Sequence, residues 1–161
     1  MTSTLKLTFK NFDKWDRKLK DPRLIGGPIK KALLQSAEFA VGQAKELTPV
    51  DTGRARNSYA TKIDPSPVPQ WASIGSNLEY MKPLEFGSKP HFPPPSALQP
   101  WASRHGFPAG SAGAFLVARA IAARGTKAHH MLRDGIKATR PFLIKQLDKA
   151  ASTIEASWRS M

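Results

Sequence analysis

The chain has 161 residues, with 25 lysines and arginines, 12 aspartates and glutamates, and no cysteine. The absence of cysteine excludes disulfides, thiolate metal sites and cysteine nucleophiles, and no apolar run is long enough to cross a bilayer. The net charge of +13 favours an acidic partner, such as nucleic acid, an anionic membrane or an acidic protein surface. The length fits one domain, and we expect no standard secretion signal at the N-terminus.

The first third of the chain predicts a strand, a short helix and a long helix. Residues 5 to 9 alternate between apolar and polar side chains, which is the pattern of a half-buried strand. Asp13 is placed to cap a short helix, and proline and glycine between residues 21 and 27 predict a break. Pro28 suits the first turn of the next helix. Apolar residues then recur at helical spacing as far as Leu47, which predicts a long amphipathic helix.

The middle of the chain predicts a turn followed by a hairpin. Residues Thr48 to Arg54 include proline, aspartate and glycine, which are the residue types that favour tight turns. Ser58 to Ile63 and Trp71 to Gly75 have strand composition, and the prolines between them predict the hairpin connection. Tyr80 to Phe86 is a short apolar segment whose type stays open, and Gly87 ends it.

A proline-rich insertion, residues 88 to 110, follows the hairpin. We expect it to be largely extended, with a short helix near Leu98 to His105. Ser111 is placed to cap a helix from Ala112 to Arg124. Gly125 suits the C-terminal end of that helix.

The C-terminal part predicts a short helical turn and a last helix. The turn covers Met131 to Ala138, and the last helix begins at Pro141 with Thr139 as its cap. The predicted apolar stripe of this helix consists of Leu143, Leu147, Ala150, Ile154 and Trp158. The stripe is too short to indicate a coiled coil.

The sequence contains little that indicates catalysis. The four histidines, His91, His105, His129 and His130, lack metal-ligand spacing, and we interpret them as exposed or loop residues. Phosphate-binding glycine loops and the nucleophile elbow are absent. Glu79 and Glu85 form a conceivable acid/base pair, but no other site chemistry accompanies them. We therefore expect no enzymatic activity, no metal and no cofactor.

The basic charge is concentrated in one part of the chain. No carboxylate occurs between Gly87 and Arg133. The cations of this stretch are Lys89, Arg104, Arg119, Arg124, Lys127 and Arg133, and its large aromatics are Phe92, Trp101, Phe107 and Phe115. We interpret the aromatics as core residues, while the cations face either DNA or an acidic protein surface. No module that reads a DNA sequence is recognisable.

Three blocks, in order, resemble a known family. Thr48 to Ser58 is similar to the "P-V-D-T-G-x-L-R-x-S" signature of phage tail-completion, or head–tail joining, proteins, the gene-product-ten-like tail-component family. Ile74 to Ser88 resembles that family's "V-G-x-x-x-x-Y-A-x-x-x-E-x-G-T". Gly125 to Gly135 is similar to its "G-T-x-A-x-P-F-L-R-x-A". The last block has His130-Met131 where Pro-Phe is usual, and Gly135 where alanine is usual.

The resemblance implies an α+β fold, with a long helix on a small antiparallel sheet and C-terminal helices. It also implies a structural virion protein, present in the host cytoplasm during assembly, that forms a neck or upper-tail ring of six-fold or twelve-fold symmetry. Neighbouring neck and tail proteins, and DNA in the lumen, are the implied partners. The subunit-interface candidates are Asp51, Thr52, Gly53, Arg54, Arg56, Tyr80, Glu85, Phe86 and Gly87. The alternative for Asp51 and Gly53 is a self-contained turn, and the alternative functions are a non-specific DNA-binding protein and a small hydrolase built from scattered serine, histidine and glutamate residues.

Overall fold

A computed structural model of the protein describes residues 21–160, apart from the side chain of Arg23. The predicted strand at residues 5 to 9 and the short helix after Asp13 lie outside the described residues. The described elements are α1 (Pro22–Leu47), α2 (Arg54–Asn57), β1 (Tyr59–Ile63), β2 (Ala72–Ser76), α3 (Met81–Phe86), α4 (Pro95–Arg104), α5 (Ser111–Arg124) and α6 (Met131–Arg159). Helix α1 packs on the antiparallel pair β1–β2, which confirms the predicted α+β class.

The chain divides into two compact units. One unit contains the described residues up to Ala37 together with Lys62–Ser73 and the residues from Pro141 onward. The other contains Glu38–Thr61 and Ile74–Arg140. Helix α1, the hairpin and α6 each contribute residues to both units. Within residues 21–160, no helix combines the length and the apolar character that spanning a membrane requires.

Helix α1 begins earlier than the sequence predicts. The expected break between residues 21 and 27 is wrong, because the helix starts at Pro22 and continues through Gly26 and Gly27. A Cβ atom at Gly26 would lie 1.8 Å from the carbonyl oxygen of Pro67 in the hairpin connection. Gly26 therefore permits a close approach of helix and connection, and it does not interrupt the helix. The predicted end at Leu47 is confirmed.

The hairpin matches its prediction to within one residue at each strand. Its proline-containing connection is organised by Asp64, whose carboxylate accepts hydrogen bonds from the backbone N–H of Gln70 (2.9 Å) and of Ser66 (3.0 Å). These two bonds hold the pKa of Asp64 below its ordinary value, because they stabilise the charged form. The connection is thus an aspartate-stabilised turn.

The C-terminal helices differ from the prediction at their N-terminal ends. Gly110 occupies the N-cap position of α5 and no side chain caps this helix, so the predicted role of Ser111 is wrong. The predicted break before Pro141 is also wrong, because α6 is one continuous helix from Met131 to Arg159. The Thr139 hydroxyl donates to the Gly135 carbonyl (2.8 Å), which is a bond inside a helix and not a cap.

The remaining predicted elements are found close to their expected positions. Within Tyr80 to Phe86, whose secondary structure the sequence does not decide, the structure has a helix, α3. Inside the proline-rich insertion, α4 forms where a short helix was expected, and it packs against α5. Gly125 ends α5 in a positive-φ conformation (70°), as its residue type predicts.

The buried apolar side chains of the described residues are small. They are Ala32, Ala37, Ala40, Ala44, Met81, Ala102, Ala114, Ala118, Met131 and Ala150. Met131 is the largest fully buried side chain among them. Alanine contacts allow helices to approach closely, but each alanine removes little apolar area from water. The fold therefore depends on close backbone packing more than on large interior side chains.

Candidate assembly surface

The loop after α1, which contains the first signature block, is anchored at both ends. The buried Thr48 hydroxyl donates to the Ala44 carbonyl (2.6 Å) and shares a hydrogen bond with the Tyr59 hydroxyl (2.8 Å). Burial raises the pKa of Tyr59, although the bond to Thr48 opposes that shift. The Arg56 guanidinium donates to the Thr48 carbonyl (3.3 Å). These bonds fix the base of the loop, while Val50 at its tip is exposed.

Gly53 is required by the backbone of this loop. It has φ 77° and ψ −7°, which is the left-handed helical conformation, and it directly precedes α2. The Asn57 N–H donates to the Gly53 carbonyl (3.0 Å), so the turn and the short helix form one unit. A side chain at this position costs about 1 kcal/mol of conformational strain. Arg54, predicted to contact a neighbouring subunit, is exposed beside it, and Thr52 is exposed on the other side.

Asp51 pairs with a cation of the proline-rich insertion. Nε of Arg104 donates to Oδ1 of Asp51 (2.7 Å), and its Nη2 donates to the second carboxylate oxygen. The hydrogen bonding and charge of Arg104 hold the pKa of Asp51 below its ordinary value. Asp51 was predicted at an interface and Arg104 opposite DNA or an acidic surface. The structure brings them together within one chain, so the loop and α4 form one continuous surface.

Glu85, from the second signature block, caps the last helix. It is 4% exposed, and its two carboxylate oxygens accept the backbone N–H groups of Leu132 (2.9 Å) and Arg133 (3.0 Å). The first turn of a helix has unpaired N–H groups and a positive dipole end, so a carboxylate there stabilises it. The Glu85 carboxylate is thus engaged within the subunit, while Glu79 of the conceivable acid/base pair is exposed.

The second and third signature blocks are joined by a short antiparallel bridge. Ser88 and Thr126 exchange backbone hydrogen bonds, each 3.2 Å long. Gly87 has φ 72°, and a Cβ there would lie 2.6 Å from the Thr126 carbonyl oxygen. A Cβ on Gly125 would lie 1.9 Å from the Ser88 carbonyl oxygen. Both glycines are therefore needed for the bridge to close.

The two departures from the family pattern have local structural reasons. His130 has φ 51°, a conformation that proline cannot adopt. A Cβ on Gly135 would lie 2.9 Å from the Ala44 backbone nitrogen, so glycine allows α6 to approach α1 closely. The third block therefore excludes proline at position 130 and favours glycine at position 135.

Large apolar side chains lie on the surface of the isolated chain. Each of the following is at least 37% exposed: Phe39, Leu47, Val50, Trp71, Tyr80, Phe86, Phe92, Trp101, Phe107, Phe115, Leu116, Ile136, Ile144, Leu147 and Trp158. Phe86, beside the capping Glu85, is 74% exposed. The prediction that the aromatics of the basic stretch fill a core is wrong, because Phe92, Trp101, Phe107 and Phe115 all belong to this exposed set.

Two of the six cations of the basic stretch are ion-paired. Arg104 pairs with Asp51, and Nε of Arg133 donates to Asp134 (2.9 Å). The Arg133 contact lowers the pKa of Asp134 and raises that of Arg133. Among the described residues, the other four have no carboxylate partner, and these are Lys89, Arg119, Arg124 and Lys127. Lys89, Arg124 and Lys127 lie within two residues of the Ser88–Thr126 bridge.

Residues 21–160 contain no group of three histidine or carboxylate side chains placed to hold a metal ion. Comparison with protein-family models, with curated proteins and with solved structures finds no match to this chain. The features of the chain that bear on its function are therefore its geometry and the three sequence blocks.

Proposed function

We propose that this protein is a structural subunit of a ring at the neck or upper tail of a long-tailed DNA phage, where it completes the tail or joins it to the head. The observation that supports this proposal best is the distribution of apolar side chains. Among residues 21–160, the fully buried apolar side chains are alanines and methionines, while fifteen large apolar side chains, five of them phenylalanines, are at least 37% exposed. Large apolar surface on an isolated subunit marks sites that other chains cover. The three signature blocks, which resemble those of phage tail-completion proteins, indicate that the assembly is a phage neck or tail.

The exposed side chains are sufficient to drive association. Fully burying one large exposed apolar side chain contributes about 1.5–3 kcal/mol. The side chains of this set are about half exposed, so ten of them, counted over the two subunits of a contact, contribute roughly 8–15 kcal/mol. Association costs about 4–15 kcal/mol in lost translation, rotation and side-chain ordering. A contact that covers about five of these side chains on each subunit is therefore near balance, and a larger one is stable. In a closed ring each subunit makes two different contacts, so two separate parts of the exposed set are covered.

The loop surface formed by residues 48–58 and α4 is suited to such a contact. Its backbone is fixed by the Thr48 and Gly53 hydrogen bonds, and the Asp51–Arg104 pair holds the loop to α4. Val50 at the loop tip is 54% exposed on this fixed framework. A preorganised surface loses little conformational entropy on binding.

Native mass measurement of the purified protein tests the proposal. We expect a closed oligomer of defined size, together with detection of the chain in purified virions. Val50→Asp and Phe86→Asp should shift the population toward monomer while the circular dichroism spectrum is unchanged. Ala60→Asp, at an exposed position with a small side chain, is the matched control and should not shift it. A monomer at every concentration tested, or absence from virions, contradicts the proposal.

Non-specific DNA binding is the second candidate, supported by Lys89, Arg124 and Lys127, which lie near one bridge and have no carboxylate partner within residues 21–160. Phosphate contacts release counterions, so the affinity for DNA should fall steeply with salt, by about 0.9 log units per contact for each log unit of salt. Anisotropy of labelled duplex DNA at several salt concentrations measures that slope. Salt-dependent binding by a protein that stays monomeric favours this candidate over the ring.

A further inference from the structure

An open apolar pocket lies between α4 and α5. Its volume is about 450 Å³, which is within the usual range of roughly 300–1,000 Å³ for ligand pockets. Trp101, Phe107, Leu116 and Ile121 form its walls. Arg124 and Lys127 also line it, at the end where α5 stops. The ring proposal assigns no role to this pocket.

The pocket results from the way the two helices pack. Small residues fill the contact, since Ala102, Ala114 and Ala118 are all buried. Gly113 allows the chain to approach closely, because a Cβ there would lie 2.1 Å from the Pro108 carbonyl oxygen. The contact between α4 and α5 is too narrow for large side chains. The large side chains next to it therefore line an open cavity.

The aromatic wall is held in position. Trp101 stacks on His105 with ring centroids 4.0 Å apart, and the His105 ring nitrogen Nδ1 hydrogen-bonds to the Trp101 carbonyl (2.9 Å). The Trp101 and Phe107 rings lie 5.9 Å apart, and the Phe107 N–H donates to the Ala102 carbonyl (3.1 Å). A wall fixed in this way is preorganised for a ligand.

The charge of the pocket is one-sided. Arg124 and Lys127 have no carboxylate partner among the described residues, and residues 87–133 contain no carboxylate. Asp51, the carboxylate that contacts α4, is already paired with Arg104. The pocket therefore combines an apolar interior with two cations that lack a counter-charge in the described part of the chain.

We propose that this pocket binds a segment of another polypeptide in which a large apolar side chain is flanked by aspartate or glutamate. The apolar side chain enters between Trp101 and Leu116, and the carboxylates pair with Arg124 and Lys127. The inference rests on the proposed function only in taking the occupant from a different protein of the same assembly.

A second copy of this chain does not supply an acidic segment of this kind. In the whole sequence, one stretch of five residues or fewer contains two carboxylates, Asp13 to Asp16, and it includes Trp15. Five lysines and arginines among residues 10–20 give this region a net charge of +3, so the two cations of the pocket repel it. Single-stranded nucleic acid suits the pocket less well, because bases stack on open aromatic faces. One face of Trp101 is already covered by a histidine ring, and the wall that α5 contributes is aliphatic.

Fluorescence anisotropy with a defined probe tests the proposal. The probe is a short labelled peptide with one central tryptophan between two pairs of glutamates. We expect saturable binding, weakened about tenfold or more when lysines replace the glutamates or alanine replaces the tryptophan. A labelled short single-stranded DNA is measured in parallel.

Two pairs of protein variants locate the site. The double variant Arg124→Glu, Lys127→Glu should weaken binding about tenfold, whereas Arg119→Glu, on the same helix but outside the pocket, should change it less than about twofold. Ala120→Phe fills the pocket and should abolish binding, whereas Ala123→Phe should retain it. Circular dichroism verifies that all four variants fold.

The proposal is overturned if the peptide does not saturate, if Arg119→Glu weakens binding as much as the double variant, or if the DNA binds in a manner that Ala120→Phe abolishes. Native mass measurement on the same preparation separates this inference from the proposed function. If the protein forms a ring that does not bind the peptide, the inference about the pocket is overturned and the proposed function is not. A monomer that binds it supports the pocket and contradicts the ring.

Discussion

Replacement of Glu85 by glutamine should destabilise the fold without altering its exposed surface. The carboxylate accepts two backbone N–H groups at the start of α6, at 2.9 and 3.0 Å. Glutamine keeps one acceptor oxygen, and its amide group then faces the second N–H. An unsatisfied buried donor costs about 1–3 kcal/mol, and loss of the charge at the helix N-terminus costs about 0.3–1 kcal/mol more. We expect a total loss of roughly 1–4 kcal/mol in the free energy of unfolding.

Urea unfolding at a fixed protein concentration measures this loss. With a slope of about 2 kcal/mol per molar urea, the midpoint should fall by roughly 0.5–2 M. Hydrogen exchange should also show faster exchange at the amides of Leu132 and Arg133, because their acceptor is weakened. Glu79→Gln, at an exposed carboxylate of the same region, is the control and should change stability by less than about 0.5 kcal/mol. Equal stability of the two variants, with normal protection of both amides, would refute the capping role.

Three further outcomes follow from the geometry. The pKa of Asp51, measured by NMR titration, should lie below its ordinary value and should return toward it in Arg104→Gln. Because the pKa is lower in the folded protein than in the unfolded chain, the pair contributes to stability above the unfolded pKa. That contribution is lost as the pH falls through the folded pKa. Gly26→Ala should destabilise the protein by about 1–3 kcal/mol in urea unfolding, because its Cβ meets the hairpin connection at 1.8 Å. Gly27→Ala, with nothing within 4 Å, should be neutral or stabilising, and equal effects at the two glycines would contradict the close approach. Pro141→Ala should raise the melting temperature, since proline inside a helix costs about 3 kcal/mol, and an unchanged or lower value would contradict that reasoning.

Local patterns predicted the elements whose ends are decided by neighbouring residues. The end of α1 before Pro49, the two strands and the end of α5 at Gly125 all depend on backbone preferences within a few residues. Proline and glycine act at that range, so their positions in the sequence were sufficient.

Predictions failed where a distant contact decided the outcome. Gly26 was interpreted as a helix breaker, yet its lack of a side chain serves a contact with residue 67 in the hairpin connection. Thr139 and Pro141 resemble a helix start, but Glu85 caps the helix closer to its true beginning at Met131. Local propensity is a weak guide when tertiary packing competes with it.

The candidate site was predictable only in part, because sequence gives residue type but not exposure. The basic stretch was recognisable from composition, whereas the pairing of Arg104 with Asp51 joins residues 53 positions apart. The exposure of Trp101 and Leu116 depends on how closely α4 and α5 pack, which Gly113 and three alanines decide. An alanine-rich helix beside a proline-rich segment was the one available signal of such close packing.

Within the signature blocks, the residues that build the fold and the residues proposed to contact other chains are different. Gly53, Glu85 and Gly87 build the subunit from within, through a left-handed turn, a helix cap and a bridge. Val50 and Phe86, which lie beside them, are the exposed apolar residues. This division predicts that Glu85→Gln lowers the stability of the monomer, measured at a protein concentration too low for association, whereas Phe86→Asp lowers the oligomer mass and leaves monomer stability unchanged. A variant of Phe86 that unfolds the chain, or of Glu85 that only dissociates the ring, would show that scaffold and contact are not separate.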